Sequence, residues 1–209
     1  MKVSDYIAKF LLNKGVDLVF AISGGGNIRL IESVCNEGIK IICPHHEQAA
    51  VMAALTRYRI SGRPAVCIVT GGPGAANTLI SLADAYLDSI PCIIIAGQEN
   101  SEFLSLPNKM RGKGVQGLDM VNIVKSVTKF AKCVTNSADI QVTLERAFQE
   151  AYSGRPGPVW IEIPQDKQWE KIVLNKLDTI QEISSYQNDN IPDWMHEAAK
   201  KNIRINFIC

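Results

Sequence analysis

Short, nearly continuous apolar runs alternate along this chain with longer stretches whose apolar positions return at helical spacing. The runs at 17–22, 39–43, 65–69, 92–96, 130–134 and 159–163 predict strands. Between them, the spacing predicts a helix capped by Ser4 or Asp5 that runs to about Asn13, with Ile7, Phe10 and Leu11 on one face. Gly15 ends it. A second helix turns Ile28, Ile31 and Val34 inward and stops near Gly38. An alanine-rich third runs from His46 to about Arg59, and a fourth from the Gly71-Gly72-Pro73-Gly74 loop to about Leu87. Residues 118–124 and 140–152 also read as helical. Strands without polar alternation are buried on both faces, so the expected class is α/β, a doubly wound parallel sheet flanked by helices.

The texture changes after Pro164. Residues 165–187 are polar with scattered apolar positions, 188–192 form a turn cluster, 193–201 suit one more helix, and 203–209 begin an apolar strand. So short a segment cannot bury a core of its own. The expected organisation is one domain over 1–168, a linker over 169–192, and the truncated start of a following domain over 193–209.

The 209 residues are 46% apolar and 21% charged with a formal net charge of +1, the balance of a globular protein with a full core. Basic residues are scattered, which argues against nucleic acid or a membrane surface as partner. No apolar stretch reaches bilayer length, and the start lacks the core of a signal peptide. The six cysteines include no C-x-x-C pair, and Cys43, Cys67, Cys92 and Cys133 sit in apolar runs. This pattern suits reduced thiols and a cytoplasmic location.

In an open parallel sheet, ligands bind beyond the carboxyl ends of the strands. Three such ends carry unusual chemistry: Ser23-Gly24-Gly25-Gly26, His45-His46-Glu47-Gln48 and Gly71-Gly72-Pro73-Gly74. Glycines there either make tight turns or bare the backbone to a ligand. Neither loop is a nucleotide signature. A P-loop needs lysine after its last glycine, and a dinucleotide fingerprint needs glycine where Arg29 stands. Glu47 does lie where a ribose-binding acid would fall, which keeps nucleotide binding as a competing reading. A glutamate at a first helical turn also suits the helix dipole, whatever else it does. His45 and His46 have only His196 as a further histidine, so no metal-ligand set is expected.

Taken together, the motifs resemble a family. Phe20 with Gly24-Gly25, then His46-Glu47-Gln48-Ala49-Ala50, then Thr70-x-Gly72-Pro73-Gly74-x-x-Asn77 resemble the acetolactate synthase-like thiamine-diphosphate enzymes. Ala83-x-Ala85-Tyr86-x-Asp88-Ser89-x-Pro91, Gly97 and Arg155-Pro156-Gly157-Pro158-Val159 extend the match over about 1–168. The segment 114–119 is closer to synthase-like members than to simple decarboxylases.

The resemblance implies a pyrimidine-binding domain. Glu47 would bond a ring nitrogen of thiamine diphosphate and pass the proton exchange that readies the cofactor for attack on a 2-oxo acid. Gly24, Gly25, Gly72, Pro73, Gly74 and Asn77 would line the cofactor, with Asn77 bracing rather than reacting, and Gln116 would face the substrate. Magnesium and the diphosphate belong, by the same resemblance, to a further domain carrying Gly-Asp-Gly, which does not occur in this chain. That domain or subunit is the implied partner, homo-oligomers are expected, and use of a flavin (FAD) stays open. Four positions depart from the family: Ala21 and Ser23 replace glycine and proline, and Leu55 and Arg57 replace an acid and a tyrosine. The last two put charge and bulk on a helix expected near the site. Alternatives to a synthase-type parent are the small subunit of a split 2-oxo-acid decarboxylase and a non-catalytic binding module.

Overall fold

The computed structural model describes residues 1–106 and 110–172. Within it the apolar runs become one six-stranded parallel sheet in the order β2-β1-β3-β4-β6-β5. The strands are β1 (Leu18–Ala21), β2 (Lys40–Ile42), β3 (Ala65–Val69), β4 (Cys92–Gln98), β5 (Phe130–Cys133) and β6 (Pro158–Pro164). In the centre, Cys67 of β3 lies between Phe20 of β1 and Ile94 of β4, and β6 pairs with β4 along its whole length.

Helices cover both faces. On one, α1 (Val3–Asn13), α2 (Ile28–Asn36) and α8 (Ile140–Tyr152) pack Phe10, Leu30 and Phe148 against Ile93, Ile95 and Ile161 of the sheet. On the other, α3 (Glu47–Ser61), α5 (Leu79–Leu87) and α7 (Met120–Val124) pack Val51, Leu82 and Met120 against Cys67, Ile94 and Trp160. Successive β4 residues thus enter opposite cores, and for that reason its sequence shows no polar alternation. The doubly wound α/β class expected from the sequence is the observed one.

The edges of the sheet depart from expectation. β2 is shorter than predicted and exposed at Lys40 and Ile42, and β5 is half-buried throughout, because each has only one neighbouring strand. Cys67 and Cys92 are buried, whereas Cys43, just beyond β2, is exposed.

The helices hold further corrections. α1 starts at Val3, so neither Ser4 nor Asp5 is its cap. Asp5 instead reaches back to the Lys2 amide and also accepts from the Ser33 hydroxyl, which bonds Ser4 as well. The long fourth helix is two: α4 (Gly72–Ala76) ends at Asn77, and α5 follows buried Thr78, whose hydroxyl turns back onto the Ala75 carbonyl at 2.7 Å. Two short helices were not foreseen, α6 (Ser101–Leu104) and α9 (Gln165–Trp169).

Beyond α9 the chain stays tied to its own start. Val3 N–H donates to the Glu170 carbonyl and Ile172 N–H to the Met1 carbonyl, while Arg29 stacks on the Trp169 ring at 3.6 Å. The helix expected over 193–201, the strand over 203–209 and most of the expected linker lie outside the described residues. No helix among the described residues is long and apolar enough to cross a membrane.

Candidate active-site crevice

The strand order reverses at β1. From it the chain runs outward to β2 and then returns to β3 on the other side, so the loops after β1 and β3 part at the carboxyl edge of the sheet. That divergence is where open α/β sheets leave a ligand crevice. α3 carries the return crossing and begins there with Glu47.

His46 is the N-cap of α3. Its Nδ1 accepts from the Gln48 amide at 3.2 Å, which gives this histidine a local structural role. Half-buried Glu47 follows. Its Oε2 accepts from Asn77 Nδ2 at 2.9 Å, and a Cβ placed on Gly74 would stand only 3.0 Å from its Oε1. Asn77 sits just past the end of α4, and Ser81 of α5 donates to the Gln48 carbonyl. The break between α4 and α5 therefore lets the amide of Asn77 meet the carboxylate.

Glycines let the loops at this edge pack closely against one another. A Cβ on Gly24 would come within 2.6 Å of the Thr70 side chain, and one on Gly74 within 2.7 Å of the Thr70 methyl. One on Gly72, whose φ is +62°, would meet the Gln116 carbonyl oxygen at 2.0 Å. At the floor, Gly97 leaves room for the Gly26 carbonyl, which a Cβ would approach to 2.0 Å. Asn27, fully buried, pins the first loop by accepting from the Gly24 amide and donating to the Ile22 carbonyl, both at 2.8 Å. Gly25 and Pro73 are exposed, and a side chain at Gly25 would make only an ordinary contact with Gln165.

Thr70 reads from the sequence only as a motif residue, with no role of its own. Its Oγ1 accepts from the Gly26 amide at 3.2 Å and from Gln116 Nε2 at 3.3 Å, so one hydroxyl joins the three segments that carry Gly24, Gly74 and Gln116. A polar residue closing the wholly apolar run of β3 was the available signal. The structure thus brings Glu47, Asn77, Gly24, Gly72, Gly74 and Gln116 around one crevice.

Leu55 and Arg57 are not near it, contrary to expectation. Leu55 is buried among the apolar residues under α3. Arg57 is roughly 15 Å further along the helix axis than Glu47, paired with Asp17 just ahead of β1 at the opposite edge of the sheet. Although partial burial alone would raise it, Arg57 and Arg63 hold the Asp17 carboxyl below its usual value.

A second acidic group lies deeper. Glu162 on β6 is buried, and that burial pushes its carboxyl up to about 7 although Gln98 and Trp160 both donate to it. It opens onto a hollow of about 220 Å³ shared with Leu118, Asp119, Val121 and Cys133. Burial, and then the neighbouring Glu162, push the Cys133 thiol up as well.

Glu47 is thus a half-buried carboxylate with one oxygen braced by an amide and the other beside Gly74, an arrangement able to accept a hydrogen bond from a ligand. The family comparison points the same way: the profile described as "Thiamine pyrophosphate enzyme, N-terminal TPP binding domain" matches residues 1–123. The chain belongs to this family. Among its relatives are the chloroplastic acetolactate synthase of Arabidopsis thaliana, 38% identical over 176 residues, and the isozyme 2 large subunit of Escherichia coli, 35% identical over 168. These alignments take in 83% and 80% of this chain but only 25% and 30% of the relatives. The thiamine pyrophosphate domain thus spans about a quarter of the length of the synthases it matches.

Proposed function

We propose that this chain supplies the pyrimidine-binding half of a thiamine-diphosphate site, in an enzyme of the acetolactate synthase type that joins or decarboxylates 2-oxo acids. The observation that carries the reading is the Glu47 carboxylate, braced by Asn77 where the loops carrying Gly24, Gly72 and Gly74 pack closely together. Glycine at those positions lets the loops approach Thr70, Gln116 and Glu47 more closely than any side chain would allow, and backbone so placed beside Glu47 would suit a planar ring. Glu47 would hold and release a proton at a ring nitrogen, while Asn77 keeps its second oxygen oriented. Gln116 would stand on the substrate side. When bound, the cofactor supplies an acidic carbon able to add to the carbonyl of a 2-oxo acid and to store electrons as carbon dioxide departs.

Partners for the diphosphate and its magnesium belong, on this reading, to another domain or subunit. Residues 1–168 would form the pyrimidine domain, and the following residues would lead toward the next one. Leu55 and Arg57 support a working site rather than a non-catalytic remnant, since both are accommodated away from the crevice.

Thiamine, which lacks the diphosphate, tests the reading on this chain. Titrated into isotope-labelled protein, it should shift the amide resonances of Gly24, Gly74 and Gln116, and Glu47→Gln should suppress those shifts. Shifts elsewhere, or a stronger response at these amides to NAD, would overturn it.

A further inference from the structure

We propose that Glu99 is a positioning residue: its carboxylate grips the 113–117 turn and so holds Gln116 in the crevice. The inference rests on the reading of that crevice given above and adds the device that fixes one of its walls.

β4 ends at Gln98 and is followed at once by Glu99, and each of these polar residues holds a different part of the same segment. Gln98 is buried and donates from Nε2 to the Leu118 carbonyl at 2.9 Å, while its Oε1 accepts from the Glu99 amide at 3.0 Å. Glu99 Oε1 accepts from the Gln116 amide at 2.8 Å. The turn closes around this carboxylate by an antiparallel bridge between Lys113 and Gly117.

Its composition follows from the grip. A Cβ on Gly114, whose φ is +80°, would lie 2.6 Å from Glu99 Oε2. One on Gly117 would lie 3.1 Å from Glu99 Cγ and 1.9 Å from the Lys113 carbonyl oxygen. Glycine at both positions is therefore what lets a five-membered turn wrap an acid. Val115, at the tip, is 97% exposed and contributes no packing that could substitute. With its backbone held by Glu99, Gln116 places its carbonyl over Gly72 and its side-chain amide on Thr70. A side chain carrying two acceptor oxygens suits this place, one of them taking the Gln116 N–H and the other lying against Gly114.

The test compares Glu99→Ala, Glu99→Gln and Thr70→Val by amide hydrogen exchange and by thiamine titration of the labelled chain. Glu99→Ala should speed exchange at the Gln116 amide by about 10- to 100-fold while leaving the β4 and β6 amides unchanged. Glu99→Gln, which keeps an acceptor oxygen, should restore most of the protection. Thr70→Val should move the Gln116 side-chain resonances but not its backbone protection. With thiamine, Glu99→Ala should still shift Gly74 and no longer shift Gln116. Unchanged Gln116 exchange in Glu99→Ala, or a thiamine response at Gln116 equal to the parent's, would overturn the proposal. Should thiamine shift nothing even in the parent, the pyrimidine-site reading fails, while the exchange data, taken without ligand, still decide whether Glu99 grips the turn.

Discussion

At the scale of single residues, Glu47 and His46 are neighbours with different work. His46 satisfies a helix-terminal amide, whereas Glu47 turns a carboxylate into the crevice. In an assembly completed by a diphosphate-binding domain, Glu47→Gln should slow deuterium exchange at the reactive cofactor carbon by about 10² to 10⁴. His46→Ala should change it far less. Equal exchange in Glu47→Gln and the parent would reduce Glu47 to a charge at a helix end. Glu47 was legible in the sequence because its neighbours form a motif. Thr70 was legible only as a motif residue, and Glu99 and Glu162 not at all, since each acts through residues distant in the chain.

Glu162 gives a prediction of its own. Its folded carboxyl binds protons up to about 7, against 4.5 for the ordinary group, so between these values the folded state holds more protons than the unfolded one. Stability should therefore fall as pH rises from about 4.5 to 7, by roughly 3 kcal/mol from this group. Urea midpoints across that range should show the decline, and Glu162→Gln should flatten it. A parent slope identical to the variant's would exclude the assignment.

At the scale of elements, the crevice depends on how closely its loops approach. Gly72 and Gly62 both have positive φ, +62° and +67°, but nothing lies within 4 Å of a Cβ on Gly62, whereas one on Gly72 strikes the Gln116 carbonyl. Gly62→Ala should cost only backbone strain, about 1–3 kcal/mol. Gly72→Ala should cost measurably more in the same denaturation assay and should displace Gln116 resonances. Equal costs would mean that the loop contact is slack. The helices and central strands were readable from apolar spacing alone. The split between α4 and α5 was not, because it is made by the Thr78 hydroxyl rather than by glycine or proline. The same limit hid α6 and α9, which are too short for a periodic signal.

At the scale of the whole molecule, the outer faces of α3 and α5 leave Met52, Ile60, Ile80 and Leu87 exposed. Apolar surface of this kind favours association, so light scattering should show a mass above the monomer that grows with concentration. A constant monomer mass at high concentration would count against this. With magnesium, thiamine diphosphate and pyruvate, the 209-residue chain by itself should show no turnover near 1 per second, the low end of usual enzyme rates. Product formation at such rates would mean that the site is complete without another domain. The family and the sheet were legible because the motifs and the apolar runs are local. The convergence of Thr70, Glu99 and Gln116 depends on strand order, which no single segment encodes.

That strand order also sets a timetable for a chain leaving the ribosome. β5 is joined to the sheet only through β6, which is made later, and β4 likewise waits for β6 along one edge. At about 5–20 residues per second, an interval of a few seconds separates the two edge partners. Throughout it, the Cys92–Gln98 strand presents an open and almost wholly apolar margin, the kind that pairs with other chains. A nascent chain stalled between 134 and 157 has every crevice loop already translated, yet it lacks the strand that shields β4. The vulnerable moment in making this protein therefore falls after its chemistry is written and before its sheet is closed.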